Sequence, residues 1–195
     1  MKIKRFVPIF TPIFIYLVVY INTINFTRLE RYMFILLWLI LRYKYVWDDE
    51  KSIKLSYKQM IIYIFFLWLD YTISRAVIPI ASRISNITYE EAGLIIYSAD
   101  HIFLCSVLLG PIIEEWLFRG IGLKMAYNFF NNIHAAVFVQ AILFGVIHFN
   151  WYQFLGVIPM GIINGYLYQK NKSLKLCIAL HGIYNMFILA ITPFP

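Results

Sequence analysis

Apolar and polar residues along this chain fall into long blocks, not the short alternation of a half-buried strand. Seven blocks are predominantly apolar: residues 7–21, 32–41, 60–74, 94–109, 134–149, 153–168 and 176–191. Blocks of this length with few charges predict membrane-spanning helices, for which roughly 20 residues cross the hydrocarbon. The second block needs the flanking Thr27–Arg31 or Tyr43–Trp47 to cross. The fourth is expected to continue through residues 110–120. The predicted fold class is all-α: a polytopic transmembrane helical bundle of about seven helices, within six to eight. N-terminal helices and loops would occupy 1–93, and a second unit, the core, 94–195.

Composition strengthens this reading. Of 195 residues, 62% are hydrophobic, 19% aromatic and 14% charged, with a mean hydropathy of +0.71. An ordinary soluble domain is about half apolar and a quarter charged. The opening "MKIKRF" and the apolar run after it have the form of a signal peptide. However, "INTINF" beyond them offers no small-x-small cleavage site, so a retained first helix is expected.

Charge then sets orientation. With the N-terminus inside, the inner segments hold Lys2, Lys4, Arg5, Arg42, Lys44, Lys51, Lys54, Lys58, Arg119, Lys124, Lys170, Lys172 and Lys175. The outer ones hold Arg28, Arg31, Arg75 and Arg83. The positive-inside rule therefore predicts an N-terminus inside and a C-terminus outside; the expected location of this multi-pass protein is a bacterial plasma membrane, with the N-terminus cytoplasmic. The lipid bilayer accounts for the +7 net charge without nucleic acid as a partner. Cys105 and Cys177 stand alone in apolar blocks and read as small core residues. The polar stretches 47–59 and 82–93 read as loops, and Glu90 and Glu91 as solvated.

Ionisable groups inside apolar blocks carry the chemistry. Each costs at least about 2.5–3.5 kcal/mol near the centre of a bilayer. They are Asp70, Asp100, His101, Glu114, Glu115, Arg119, His148 and His181. In "PIIEEWLFRG", 111–120, neighbouring glutamates point about 100° apart, while Arg119 lies four residues after Glu115 on nearly the same face. Glu115 and Arg119 are thus expected to pair, leaving Glu114 to the bundle interior; a purely structural ion pair at a helix end is the plainer alternative. "FGVIH" sets Phe144 and His148 on one face, and "HGIYN" does the same for His181 and Asn185. If the chain turns at 131–132, Glu114 and His148 lie at matching depth, about 21 Å from that turn. His181, eight residues past Ser173, would be only about 12 Å deep, so tilt or a sunken 170–175 turn must make up the difference. A carboxylate and two imidazoles form the ligand set of a catalytic zinc site, here Glu114, His148 and His181. They are equally a set for general-base activation of water with oxyanion stabilisation.

At these residues the chain resembles the CPBP family, also called Abi or type II CAAX prenyl endopeptidases, which are intramembrane proteases. The family's motifs E-E-x-x-x-R, F-x-x-x-H and H-x-x-x-N stand here as "EEWLFR" (114–119), "FGVIH" (144–148) and "HGIYN" (181–185). The resemblance covers about residues 94–190. It implies that Glu114 activates water together with His148. His181 and Asn185 would stabilise the oxyanion, or His181 would complete a site for a divalent metal, Zn²⁺. Glu115, Arg119 and Phe144 would support them. The implied substrate is a peptide or membrane-anchored protein such as a bacteriocin, a leader or a CAAX-like sequence.

Other readings fare less well. A rhomboid-type G-x-S-G element and an H-E-x-x-H helix are absent, and Asp70 and Asp100 stand in "LDYT" and "SADH", outside aspartyl-protease contexts. A transporter would not explain three motifs in this order. The main alternative is a non-catalytic immunity or scaffold protein that keeps the protease fold.

Overall fold

The computed structural model describes residues 11–22, 28–42, 57–85, 102–148 and 151–191. Among the described residues the chain is all-helical: α1 (Thr11–Asn22), α2 (Arg28–Arg42), α3 (Tyr57–Ser85), α4 (102–130), α5 (Ile133–Val146), α6 (Trp151–Asn171) and α7 (Leu174–Ile191). The predicted bundle is therefore the observed one. Helix α3 runs further than its apolar block, so residues 82–85, expected in a loop, are helical. The side chain of Asp70 on α3 is not among those described, and Asp100 and His101 lie outside the described residues, as does most of the segment 82–93.

Helix α4 is the axis of the fold. It meets α1, α2, α5, α6 and α7, and between Gly110 and Leu123 every residue except the half-exposed Ile112 is buried. A helix buried on all sides cannot display one apolar stripe, which is why the continuous oily run around 110–123 is also where the charges lie. Around it the bundle is turned inside out relative to a soluble protein. Phe14, Leu37, Ile64, Trp68, Phe138 and Phe187 are exposed, whereas Glu114, Glu115, Arg119, Gln140, Asn164 and His181 are buried. Apolar surface on this scale suits a lipid surround. Helix α7 is long and apolar enough to span a membrane, with mean hydropathy 1.8. Among the described residues Ile61–Ile73 and Ile133–Val146 are shorter apolar runs. The 14 residues of α5 extend only about 21 Å, so its end places His148 part-way along the bundle and not beyond it.

Two turns set the helix ends. Asn131 takes the left-handed conformation, φ 50°, that ends α4. Asn132 caps α5, its Oδ1 accepting from the backbone N–H of His134 at 2.9 Å and Ala135 at 3.1 Å. This is the turn expected at 131–132. Between α6 and α7, Lys172 has φ 52°, and Ser173 and Leu174 are buried. Both residues pack into the bundle at this turn.

Helix α4 contains two wide turns with i→i+5 hydrogen bonds, Leu104–Leu109 and Trp116–Gly122. The first has a cause in the sequence. Pro111 has no N–H, and in a regular helix its ring would press on the carbonyl of Val107. The turn widens, and the N–H of Gly110 bonds to Cys105 O. Ser106 O then has neither Gly110 nor Pro111 as donor, and the side chain of Asn185 on α7 supplies one, Nδ2 to Ser106 O at 2.7 Å. Gly182 lets α7 come this close, for a Cβ there would stand 2.7 Å from Val107 O. We expect Gly182→Ala to push α7 off α4 and cost about 1–3 kcal/mol, read as a lowered thermal midpoint in detergent. Gly156→Ala, with open space around its Cβ position, should leave that midpoint nearly unchanged.

Candidate active site

The cluster is built around one carboxylate. Glu115 is fully buried and its two oxygens are divided among three helices. Oε2 faces Arg119 Nε, one turn along α4, at 3.1 Å. Oε2 meets no donor at hydrogen-bonding angles, so the contact is an ion pair more than an aligned hydrogen bond. Oε1 accepts from Asn164 Nδ2 of α6 at 3.0 Å and from His181 Nδ1 of α7 at 2.9 Å. Breaking one partner from such a buried pair costs about 3–5 kcal/mol, because the other charge stays buried without compensation.

Arg119 is held on its other sides by α5 and α6. Its Nη2 donates to Gly161 O at 3.2 Å, and its guanidinium lies 4.8 Å from the centre of the Phe144 ring. Phe144 also orders both imidazoles. Its ring meets that of His148 at 5.2 Å and that of His181 at 5.9 Å, edge to face in each case. Its carbonyl oxygen lies 3.0 Å from His148 Nδ1. A carbonyl only accepts, so His148 Nδ1 carries the proton in this bond. For His181 the carboxylate of Glu115 likewise accepts from Nδ1.

Glu114 takes the opposite side of His181, its Oε2 3.7 Å from Nε2. His181 thus stands between two carboxylates, Glu115 within hydrogen-bond reach and Glu114 just beyond it. A Cβ at Gly110 would lie 3.5 Å from Glu114 Oε1, so the absence of a side chain there leaves room beside the acid. The structure therefore gathers Glu114, Glu115, Arg119, Phe144 and His181 directly. His148 joins them through Phe144, and Asn185 stands one turn beyond His181 on α7. Among the described residues no three His, Cys, Asp or Glu side chains are arranged to hold a metal ion. As they stand, Glu114, His148 and His181 are not arranged as zinc ligands.

Asn164 and two backbone carbonyls are contributors that the sequence motifs do not mark. Asn164 lies buried in "GIING", outside all three motifs, although an amide in an oily helix is costly in the same way as an ionisable group. Backbone carbonyls of Ser106 and Gly161 carry no sequence signal, although Pro111 marks where the first is released.

A helical membrane bundle with a buried carboxylate–imidazole cluster is the class that fold and site define. Residues 100–187 match the family described as "Type II CAAX prenyl endopeptidase Rce1-like". The matched segment holds all three motifs, and over it the chain is similar to the CPBP, or type II CAAX prenyl endopeptidase, family. Among curated proteins the chain is similar to "UPF0177 protein YbdI" of Lactococcus lactis subsp. lactis (strain IL1403), 30% identical over 45% of this chain and 47% of that protein. It is also similar to "Putative membrane peptidase YdiL" of Bacillus subtilis (strain 168), 27% identical over 49% of this chain and 38% of that protein. A third relative, "UPF0177 protein YaiF" of the same Lactococcus strain, is 25% identical over 72% of this chain and 64% of that protein. The chain spans about half the length of the first of these relatives and less of the second. No solved structure matches.

The shared carboxylate generates a double-mutant test. Arg119→Met alone should destabilise by about 3–5 kcal/mol, since Glu115 keeps its charge in the core. Adding Glu115→Gln should recover part of that loss, so that the double variant melts above the sum of the singles. Asn164→Leu, removing one donor to Oε1, should cost about 1–3 kcal/mol in the same melts.

Proposed function

We propose that this protein is an intramembrane endopeptidase in which Glu114 is the general base. The observation that carries the reading is His181 standing between two buried carboxylates, Glu115 at 2.9 Å and Glu114 at 3.7 Å, inside an apolar bundle. Three helices converge to build it, and Asn164 and Arg119 hold Glu115 in place. That leaves Glu114 as the acid whose position, among the described residues, no ion pair with an arginine fixes.

Glu114 takes a proton from water while His148 Nε2 accepts a hydrogen bond from the same molecule. The water oxygen attacks the carbonyl carbon of a peptide bond, whose oxygen becomes the oxyanion. His181, with Nδ1–H held on Glu115, offers a proton on Nε2 to that oxygen. Asn185 gives one amide hydrogen to Ser106 O and has a second for the same charge. The proton on Glu114 then passes to the leaving amine as the C–N bond breaks. Glu115 and Arg119 act by orienting His181. Zn²⁺ bound by Glu114, His148 and His181 would polarise the carbonyl, and it would require those groups to draw closer than they stand. The substrate class is a peptide or membrane-anchored protein, such as a leader, bacteriocin or CAAX-like segment. The lysine-bearing bundle end would face a bacterial cytoplasm.

The test is cleavage of candidate peptides by the purified chain in detergent. Glu114→Ala and His148→Ala should each lower turnover by about 10²- to 10⁴-fold while melting like the wild type. Loss of turnover with chelator, restored by Zn²⁺, would establish the metal arm. Wild-type biological activity in both variants would instead establish the scaffold reading.

A further inference from the structure

Away from the buried cluster, the outer surface carries a cleft of about 350 Å³ between α5 and α6, lined by His134, Ala135, Val137, Phe138, Ile162 and Tyr166. Tyr166 follows Asn164 by two residues, about 200° around α6, so the cleft opens on the opposite face of α6 from the Glu115 contact. Its floor is apolar and its mouth is not. His134 Nδ1 and Tyr166 Oη are hydrogen-bonded at 2.6 Å, their rings 5.6 Å apart, and both residues are exposed. Lys170, also exposed, lies one turn beyond Tyr166 on the same side of α6.

Among the described residues, several lysines lie toward this end of the bundle. Lys58 sits in the first turn of α3, and Tyr63 one to two turns later bonds to Asn171 at the end of α6, with Asn171 Nδ2 to Tyr63 Oη at 3.0 Å. Lys124 on α4 and Lys175 at the start of α7 belong to the same end of the bundle. Helices α5, α6 and α7 contain no acidic residue at all. A slot with an oily floor, a hydroxyl–imidazole mouth and lysines beyond it is complementary to an amphiphile with an anionic head.

We propose that this cleft is a binding site for an acidic phospholipid. One acyl chain lies along Val137, Phe138 and Ile162, and the phosphate is held at the mouth by Tyr166, His134 and Lys170. The site is independent of peptide hydrolysis and stands or falls on lipid binding alone.

The experiment measures thermal midpoints of the purified full chain in detergent with added phosphatidylglycerol, phosphatidylcholine or inorganic phosphate. Lipids retained on the protein are counted by native mass spectrometry. Phosphatidylglycerol should raise the midpoint by about 4 °C or more beyond phosphatidylcholine, as a ligand of the folded state alone does. Ala135→Trp, which fills the slot, and Lys170→Glu, which reverses the charge at its mouth, should remove most of that difference. Tyr166→Phe, which keeps the ring, should reduce it and serves if either of the others fails to fold. Equal shifts with the two lipids, a shift reproduced by phosphate alone, or variants that keep the full difference would each overturn the proposal.

Discussion

A carboxylate buried in an oily bundle has to be answered from several directions, and Glu115 is answered from three helices. Arg119 supplies the countercharge from one turn along α4, and Asn164 and His181 supply donors from α6 and α7. No two of these elements can separate without leaving a polar group stranded in a medium that offers no water. Much of the rest is arranged around that condition. Phe144 lies beneath the guanidinium and beside both imidazoles, and Gly161 lends its carbonyl to Arg119. The ion pair is structural in its immediate effect, and through His181 it fixes what Glu114 faces.

The second constraint is backbone geometry. Pro111 denies α4 a regular turn, and the carbonyl it strands at Ser106 becomes the anchor for α7 through Asn185. Gly182, one residue after His181, is what lets the anchor form at such short range. The motif "HGIYN" therefore combines an imidazole bound to Glu115, a gap and a clasp. Much of its content is packing.

How much of this was legible depended on the kind of signal. Helical character followed from apolar blocks, since any backbone group in hydrocarbon must be satisfied within its own helix. The partnership of Glu115 with Arg119 followed from four-residue spacing, and the turn at 131–132 from two consecutive asparagines. Boundaries followed less well. Helix α3 continues through Ser85, with Arg83 exposed in its last turn, where polar composition alone suggests a loop. The burial of Ser173 and Leu174 at the α6–α7 turn could not be counted from sequence, because it is a tertiary outcome. Asn164 was visible as a letter but not as a participant, since its meaning comes from the helix it faces.

The wide turns of α4 bear on how a chain like this can change over time. Each holds more residues per turn than the helix on either side, so it works as a splice where the winding is out of phase with its surroundings. Losing one residue from 104–109 would let that splice tighten into ordinary winding with no break in the helix. Everything after it would then keep nearly the same rotation relative to what comes before, because a wide turn is what absorbs one extra residue in a helix. Glu114 and Glu115 would keep the directions they now have. The chain ahead of the motif can thus gain or lose a residue at this place while the two acids stay where the other helices meet them.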